Sequence, residues 1–417
     1  MDIKGEFNLP FEEAKKYIEG KKQVLPTETW RDITQSAHAK AFVIAGVSNL
    51  ELLTDVHKII AENMKNGVSF SDFRKNFRQK VAEKGWVKFE TETRKYQAWR
   101  TKIIYNTNMQ TAFAAGKWQQ ITSENSKINF PFLQYVHNYY GTSKTPRADH
   151  LAWNGVVLPV DDDFWQTHYP PNGFGCKCGV KQLTKSEGEG KLKGMYNSTH
   201  ADKIDNFSEN YGEEKALKTM RKYAGAFSTQ DAALEKSGWA YNVGADDAKG
   251  YLSLFDKLIK IGNSGAANAE FAKKAWQSIS DNSPVIFKDS LKLWNEKHYG
   301  NKGAKTGSEN RRVAAVISRE RLSELNKIFK EHAGSDLLRN SVISISEKQF
   351  EHAVRVDDDR ATPSKDFFSK IAKALKEGEI RYSPKYKGGD NSIVVEFENH
   401  GIVIYVNGEI NTFYEIK

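Results

Sequence analysis

The sequence predicts a multidomain α+β protein. A helix-rich N-terminal domain with a small, loop-rich β-containing part leads into a helical spacer. A C-terminal α+β domain with a four-stranded antiparallel sheet closes the chain. Three observations predict this. Capped amphipathic segments crowd residues 10–125. From about Phe132 the texture turns aromatic, alternating and turn-rich. The end of the chain alternates as short strands with tight turns between them.

The helices are read from their ends. PFEEAKKYIEGKK has a helix-start proline, early acids and late lysines, which complement the helix dipole. TETWRDITQSAHAKAFVIAG carries apolar residues at helical spacing and ends at Gly46. SNLELLTDVHKIIAENMKNG starts on a Ser48 cap and stops at Gly67. SFSDFRKNFRQKVAEKG starts on another cap and stops at Gly85, and the stretch from Glu90 to Ile121 has few breakers. FLQYVHNYY then reads as a strand. TPRADHLAWNGVVLP pairs a helix or turn with a strand, and DDDFWQTHYPPNGFGCKCGVKQLT closes a turn-rich stretch with another. KSEGEGKLKGMYNSTHADK reads as an exposed connector. A second helical region spans about 248–334, interrupted by the Gly- and Lys-rich loop HYGNKGAKTGSENRR. SVISIS is a strand, and EKQFEHAVR and SKDFFSKIAKALKEG are helices, the latter with Ser364 as its cap and Gly378 as its end. EIRYSP, NSIVVEFEN, GIVIYVNG and INTFYEIK form the final meander.

The boundaries expected are 1–250, 251–335 for a basic helical spacer, and 336–417. The chain has 417 residues, 39% hydrophobic and 28% charged, a soluble globular composition. No apolar run approaches the roughly 20 residues of a membrane-spanning helix, so no membrane partner is expected. The N-terminus MDIKGEFNLPFEEAKKY lacks the apolar core of an export signal, which points to cytoplasmic synthesis. The net charge is +9, and residues 251–340 carry 16 basic against 10 acidic residues. Lys297, Lys302, Lys305, Arg311 and Arg312 in that stretch would suit an electrostatic contact with packaged DNA, or simply a solvated face.

Two stretches carry a family resemblance: Ala39 to Trp86, and TPRADHLAWNGVVLPVDDDFWQTHYPPNGFGCKC, Thr145 to Cys178. The order RxxH, NGxxxP, DDDFW, PPNGFGCKC resembles the phage Mu protein F-like head morphogenesis (minor head) proteins. GWAYNVG, Gly238 to Gly244, looks like a segment that trails this domain. The resemblance covers about the first 250 residues. It implies a structural part in building a phage head, in the virion and in the host cytoplasm during assembly. The portal and other head proteins would be neighbours.

Both cysteines of the chain sit in that loop. Cys176 and Cys178, two apart on an extended segment, would face one side. A disulfide between them would be strained. With His150 and His168 they would complete a structural zinc set. Packed, buried thiols locking a turn are the third reading. Arg147, Asp149 and His150 are expected to form a hydrogen-bonded network fixing the loop. The aromatic set Trp153, Phe164, Trp165, Tyr169 and Phe174 is expected in the core.

The layout of 336–417 resembles the barnase/EndoU/colicin/RelE-like group of small phage nucleases. RNA cleavage without a metal needs a base, an acid and cations for the phosphate. His352 would serve as base or acid, with Arg355 one turn on. Lys365, Arg381 and Lys385 add cations, and Thr412 and Tyr414 share a strand face toward phosphate. No cofactor is needed for that catalysis. Two readings stay open: a metal-independent ribonuclease acting as an effector on RNA, or a non-catalytic binding and assembly module in a wholly structural virion protein.

Overall fold

A computed structural model describes residues 11–21, 23–33, 35–137, 147, 150–151, 153–162, 164–191, 234–245, 248–287, 290–300, 311–333, 338, 341–355, 362–382 and 392–416. The chain divides into two compact units, Met1–Ala245 and Asp246–Lys417. The architecture is α+β. Among the described residues no helix is long and apolar enough to cross a membrane.

The first unit is built on helices α1 (Glu12–Gly20), α2 (Leu50–Asn66), α3 (Phe70–Lys84) and α4 (Arg94–Ile121). Side-chain oxygens start three of them. Asn49 accepts from the Leu52 amide at 3.0 Å, Ser69 from Asp72 at 3.2 Å, and Thr93 from Tyr96 at 3.2 Å. The cap of α2 is therefore Asn49 rather than Ser48, and α2 ends at Gly67 in the left-handed conformation, φ 64°. The long α4 is the spine. It touches α1 so closely that a Cβ on Gly116 would lie 2.6 Å from the Ala14 nitrogen, so this crossing requires glycine.

The helix expected over Thr27–Gly46 does not form. Only Ala37–Lys40 is α-helical, and Ala41–Phe42 pairs in parallel with Gln23–Val24. Ala41 and Phe42 are buried from this extended segment, so tertiary pairing overrides a helical pattern there.

Two apolar cores rest on α4. One gathers Phe42, Leu52, Val56, Ile60, Phe73 and Phe77 with Ile104. The other lies under a three-stranded antiparallel sheet of β1 (Phe132–Val136), β2 (Val157–Pro159) and β3 (Gly179–Leu183), order β2-β1-β3. Leu133 opposes both Leu158 and Gln182, and Tyr135 opposes Val180. The short helix α5 (Phe164–His168) bridges β2 and β3 in sequence.

The second unit contains α6 (Ala248–Gly262), α7 (Ala266–Asp281), α8 (Lys292–His298), β4 (Arg311–Val316) and α9 (Arg319–Ala333). There follow β5 (Val342–Ser346), α10 (Glu347–Val354), α11 (Ile371–Glu377) and the strands β6 (Glu379–Tyr382), β7 (Ser392–Phe397), β8 (His400–Tyr405) and β9 (Ile410–Glu415). The last four form the expected antiparallel meander, order β9-β8-β7-β6. A capping box between Ser346 and Gln349 starts α10. The helix read from Ser364 begins instead as a 3-10 turn, Phe367–Lys370, and becomes α-helical at Ile371. Ser364 is engaged elsewhere, with its amide donating to His400 Nε2 at 3.3 Å.

The spacer boundary near residue 335 falls inside this unit. β4, within the stretch read as helical spacer, pairs antiparallel with β5, and Arg312 opposes Ile345. The Trp276 indole donates to the Ile317 carbonyl at 3.2 Å, and Ser283 Oγ accepts from the Val316 amide at 2.8 Å. Residues 246–417 thus form one packed body, because β5 and the helices around β4 bury their apolar faces against each other.

Candidate functional site

The loop Pro170–Cys178 leaves α5 and enters β3. The Pro170–Pro171 bond is cis. Buried hydrogen bonds hold the entry. Tyr169 Oη donates to the Ala114 carbonyl at 3.0 Å, tying the loop to α4. Tyr135 Oη donates to Asn172 Oδ1 at 3.0 Å, tying it to β1. Further on, Arg147 Nη2 donates to the Phe174 carbonyl, so Arg147 does fix the loop as its position in RxxH suggests. Asp149 lies outside the described residues. The GWAYNVG segment packs here too. Trp239 lies against Phe174, with ring centroids 5.2 Å apart, and Asn242 Nδ2 donates to the Trp165 carbonyl at 3.0 Å.

Of the aromatic set, Trp153, Phe164, Trp165 and Tyr169 are buried core, while Phe174 is 37% exposed.

Cys176, Cys178 and His150 come together in the interior, at 5%, 6% and 3% exposure. Both thiols approach one nitrogen: His150 Nδ1 lies 3.6 Å from Cys176 Sγ and 3.4 Å from Cys178 Sγ. Their donor atoms all lie within 4.8 Å of one another. Both cysteines are free, so the disulfide reading does not describe this loop. The neighbouring Cys178 thiol, then burial, push the Cys176 thiol well up from its ordinary range.

His168, the fourth residue of the expected zinc set, stands outside this cluster. Its ring stacks on Phe164 with centroids 4.3 Å apart, and its Nδ1 is 2.7 Å from Thr167 Oγ1. Burial pulls its pKa down to about 4. Trp153 separates the two histidines, stacked with His150 and edge-on to His168. A sequence shows that two histidines share a motif block; it does not show that a tryptophan stands between them.

The residues singled out in the second unit distribute as follows. His352 is exposed on α10, and Arg355 is the residue that ends this helix. Helix α10 packs on β9, which carries Thr412, buried, and Tyr414, half-buried. Tyr414 covers Gly401, where a Cβ would lie 2.6 Å from the tyrosine Cζ. Lys365 is exposed, and its carbonyl accepts from Asn295 Nδ2 at 2.8 Å. Arg381 lies on β6, the opposite edge of the sheet from β9. Three strand spacings, about 14 Å, separate it from Thr412. Two acids hold it, Glu396 at 3.2 Å and Glu379 at 3.5 Å. Lys385 lies outside the described residues. Helix α10 meets β9 through Phe350 and Phe413, ring centroids 5.5 Å apart, so Thr412 and Tyr414 point to the opposite face of the sheet from His352, and Arg381 lies apart from all of them.

The expected DNA contact is also altered by packing. Arg311 pairs with Glu409, and Arg312 donates to the Ser290 carbonyl at 2.6 Å over the Trp294 ring. Lys297, Lys302 and Lys305 lie outside the described side chains.

Two polar groups of this unit were missed by sequence reasoning. His298 Nε2 and Glu347 Oε1 meet at 2.9 Å, both buried. His400 donates from Nδ1 to the Glu398 carbonyl at 2.7 Å, accepts from Ser364 at Nε2, and stacks on Phe367 at 3.9 Å. The only sequence signal for His400 is its place in the ENHG turn between two strands.

With this geometry in place, comparison with known proteins adds the following. The family model described as Phage Mu protein F like protein matches residues 54–181, from within α2 into β3, including His150 and the whole cysteine loop. Residues 54–181 resemble the phage Mu protein F family. Protein F of Escherichia phage Mu, whose name assigns it to capsid assembly, is 28% identical over 272 residues, 63% of this chain and 60% of that protein. The Mu-like prophage FluMu F protein of Haemophilus influenzae is 28% identical over 335 residues, 78% of this chain and 76% of its own length. The chain thus spans about three fifths of the phage Mu relative. No solved structure matches it.

Proposed function

We propose that the chain is a minor head protein of a phage or Mu-like prophage, acting in head assembly beside the portal and other head proteins and remaining in the virion. The match of residues 54–181 carries this reading. The similarity to the FluMu F protein supports extending it to the second unit, since 78% of this chain is more than residues 1–245 provide. The test is made in the phage or prophage that encodes the chain. Mass spectrometry of purified heads should find it, and deletion of its gene should abolish or deform heads. Heads of normal yield and form without it would overturn the assignment.

A second reading concerns the second unit alone. His352, exposed on α10, and Arg355 at its end would serve a metal-independent ribonuclease as proton donor or acceptor and phosphate cation, while Thr412 and Tyr414, on the sheet face opposite the one Phe413 turns to α10, take no part in it. Arg381, paired to two glutamates at the far sheet edge, takes no part in this version. Lys365 and Lys385 stay as candidate cations outside that grouping. RNA incubated with the full chain in EDTA decides the matter. Cleavage lost in His352→Ala supports the nuclease. Intact RNA makes the unit an assembly or binding module.

A further inference from the structure

The cysteine loop and the turn carrying His150 bring together three soft or borderline donors, two thiols and an imidazole. We propose that His150 Nδ1, Cys176 Sγ and Cys178 Sγ bind a zinc ion that clasps the Pro170–Cys178 loop to the turn carrying His150. The inference is independent of the head-assembly reading.

The first argument is geometric. Zinc holds sulfur at about 2.3 Å and imidazole nitrogen at about 2.0–2.1 Å in a tetrahedron, which places S and N roughly 3.6 Å apart. The two observed separations are 3.6 and 3.4 Å. Both sulfur–nitrogen edges of such a tetrahedron are thus already set.

The second argument is stoichiometric. A neutral imidazole nitrogen has either one lone pair or one hydrogen to offer. Two thiols aimed at the same Nδ1 cannot both be satisfied by it through hydrogen bonds. A cation between the three atoms accepts a lone pair from each, with both sulfurs as thiolates. Thiolate and imidazole select zinc over magnesium or calcium, which take oxygen ligands.

The third argument is architectural. Residues 176–178 belong to no helix or strand, yet both sulfurs are buried. His150 lies 26 residues upstream of Cys176, so the ion would tie two distant points of the chain together. His168 does not complete the set, because it lies outside the group of donor atoms within 4.8 Å of one another. Among the described residues the group has three members. Water or an exogenous ligand takes the fourth position, as in zinc sites with three protein ligands.

The test uses the full chain, purified under non-oxidising conditions in buffer containing zinc. Elemental analysis should find about one zinc per chain. Cobalt exchanged into the protein should show a thiolate-to-cobalt charge-transfer band. His150→Ala, Cys176→Ser and Cys178→Ser should each weaken zinc binding by at least about tenfold. Cys178→His, which keeps a ligand, should retain the ion, and His168→Ala should bind it like the parent. If the ligand variants do not fold, the cobalt spectrum of the parent decides alone. A chain without stoichiometric metal, a cobalt complex lacking the charge-transfer band, or an intact mass showing a Cys176–Cys178 disulfide would each overturn the proposal. So would a zinc content that falls in His168→Ala but not in His150→Ala.

Discussion

The guanidinium of Arg147 occupies the space that a side chain on residue 173 would need: a Cβ built on Gly173 would lie 2.3 Å from Arg147 Nη1. The missing side chain at Gly173 is what leaves room for Arg147. The same guanidinium reaches past the glycine to the Phe174 carbonyl.

Gly173→Ala is therefore expected to act through Arg147. The arginine end is flexible and can swing away, so the backbone need not move. The cost is the solvent-exposed hydrogen bond to Phe174, about 0.5–1 kcal/mol. Arg147→Ala should lose a similar amount, and the double variant should lose little more than either single one. Thermal unfolding of the three variants measures this. Fully additive losses would show that Gly173 matters for another reason.

Burial of ionisable groups gives the first unit a distinctive pH response. His38 stacks on Trp30 with centroids 3.4 Å apart, and burial, then the Lys21 charge, hold its pKa down to about 3. His168 is held near 4 by burial. Unfolded, both titrate near 6.5. Between the folded and unfolded values the unfolded chain binds more protons, so stability falls as pH drops below about 6.5. Each unit of depression is worth about 1.4 kcal/mol. Lys21, buried and lowered to about 7, has the same sign in an alkaline window. From about pH 7 up to its unfolded value of about 10.4 the unfolded chain again holds the extra proton, so this contribution makes stability rise with pH. Urea midpoints should thus fall steadily from pH 6.5 toward 4, with a shallower slope in His38→Gln. Lys21→Met should raise the midpoint at neutral pH and remove the alkaline rise. A midpoint flat across both windows in the parent would contradict this account.

How much of this was legible in the sequence varies with the range of the interactions. Helix ends set by local capping, such as Ser69 and Gly67, could be read directly. The final meander was legible because alternation and tight turns are local. Thr27–Gly46 was misread because its extended segment is stabilised by Gln23–Val24 and a distant core. β4 was hidden because RRVAAV is a short apolar run that a helix would also accept; only β5, beyond a whole helix, makes it a strand. In the site, the closeness of His150 to the cysteine pair followed the motif. The exclusion of His168 did not, since it depends on the stacking of its ring on Phe164 within α5.

The same non-local pairing decides where the chain can be cut. A fragment starting at residue 336 would keep β5 but discard β4, whose residues Val313 to Val316 are all buried. It would also discard α9, whose Arg321 donates from Nε to the Leu375 carbonyl at 3.0 Å, and the Ser283 and Trp276 groups that tie β4 to the helices before it. What remains is a meander with one face stripped, and an exposed β5 edge is an invitation to aggregate. Residues 246–417 should unfold in one cooperative urea transition. Residues 336–417 should show no sharp transition, bind a hydrophobic dye and self-associate. Far-UV circular dichroism and dye fluorescence on the two fragments make the comparison. If the shorter fragment unfolds cooperatively with an equal midpoint, β4 is dispensable and the boundary near 335 stands. If it does not, assays of the second unit with RNA are informative only on the longer fragment or the full chain, because an inactive short fragment would report lost folding rather than absent chemistry.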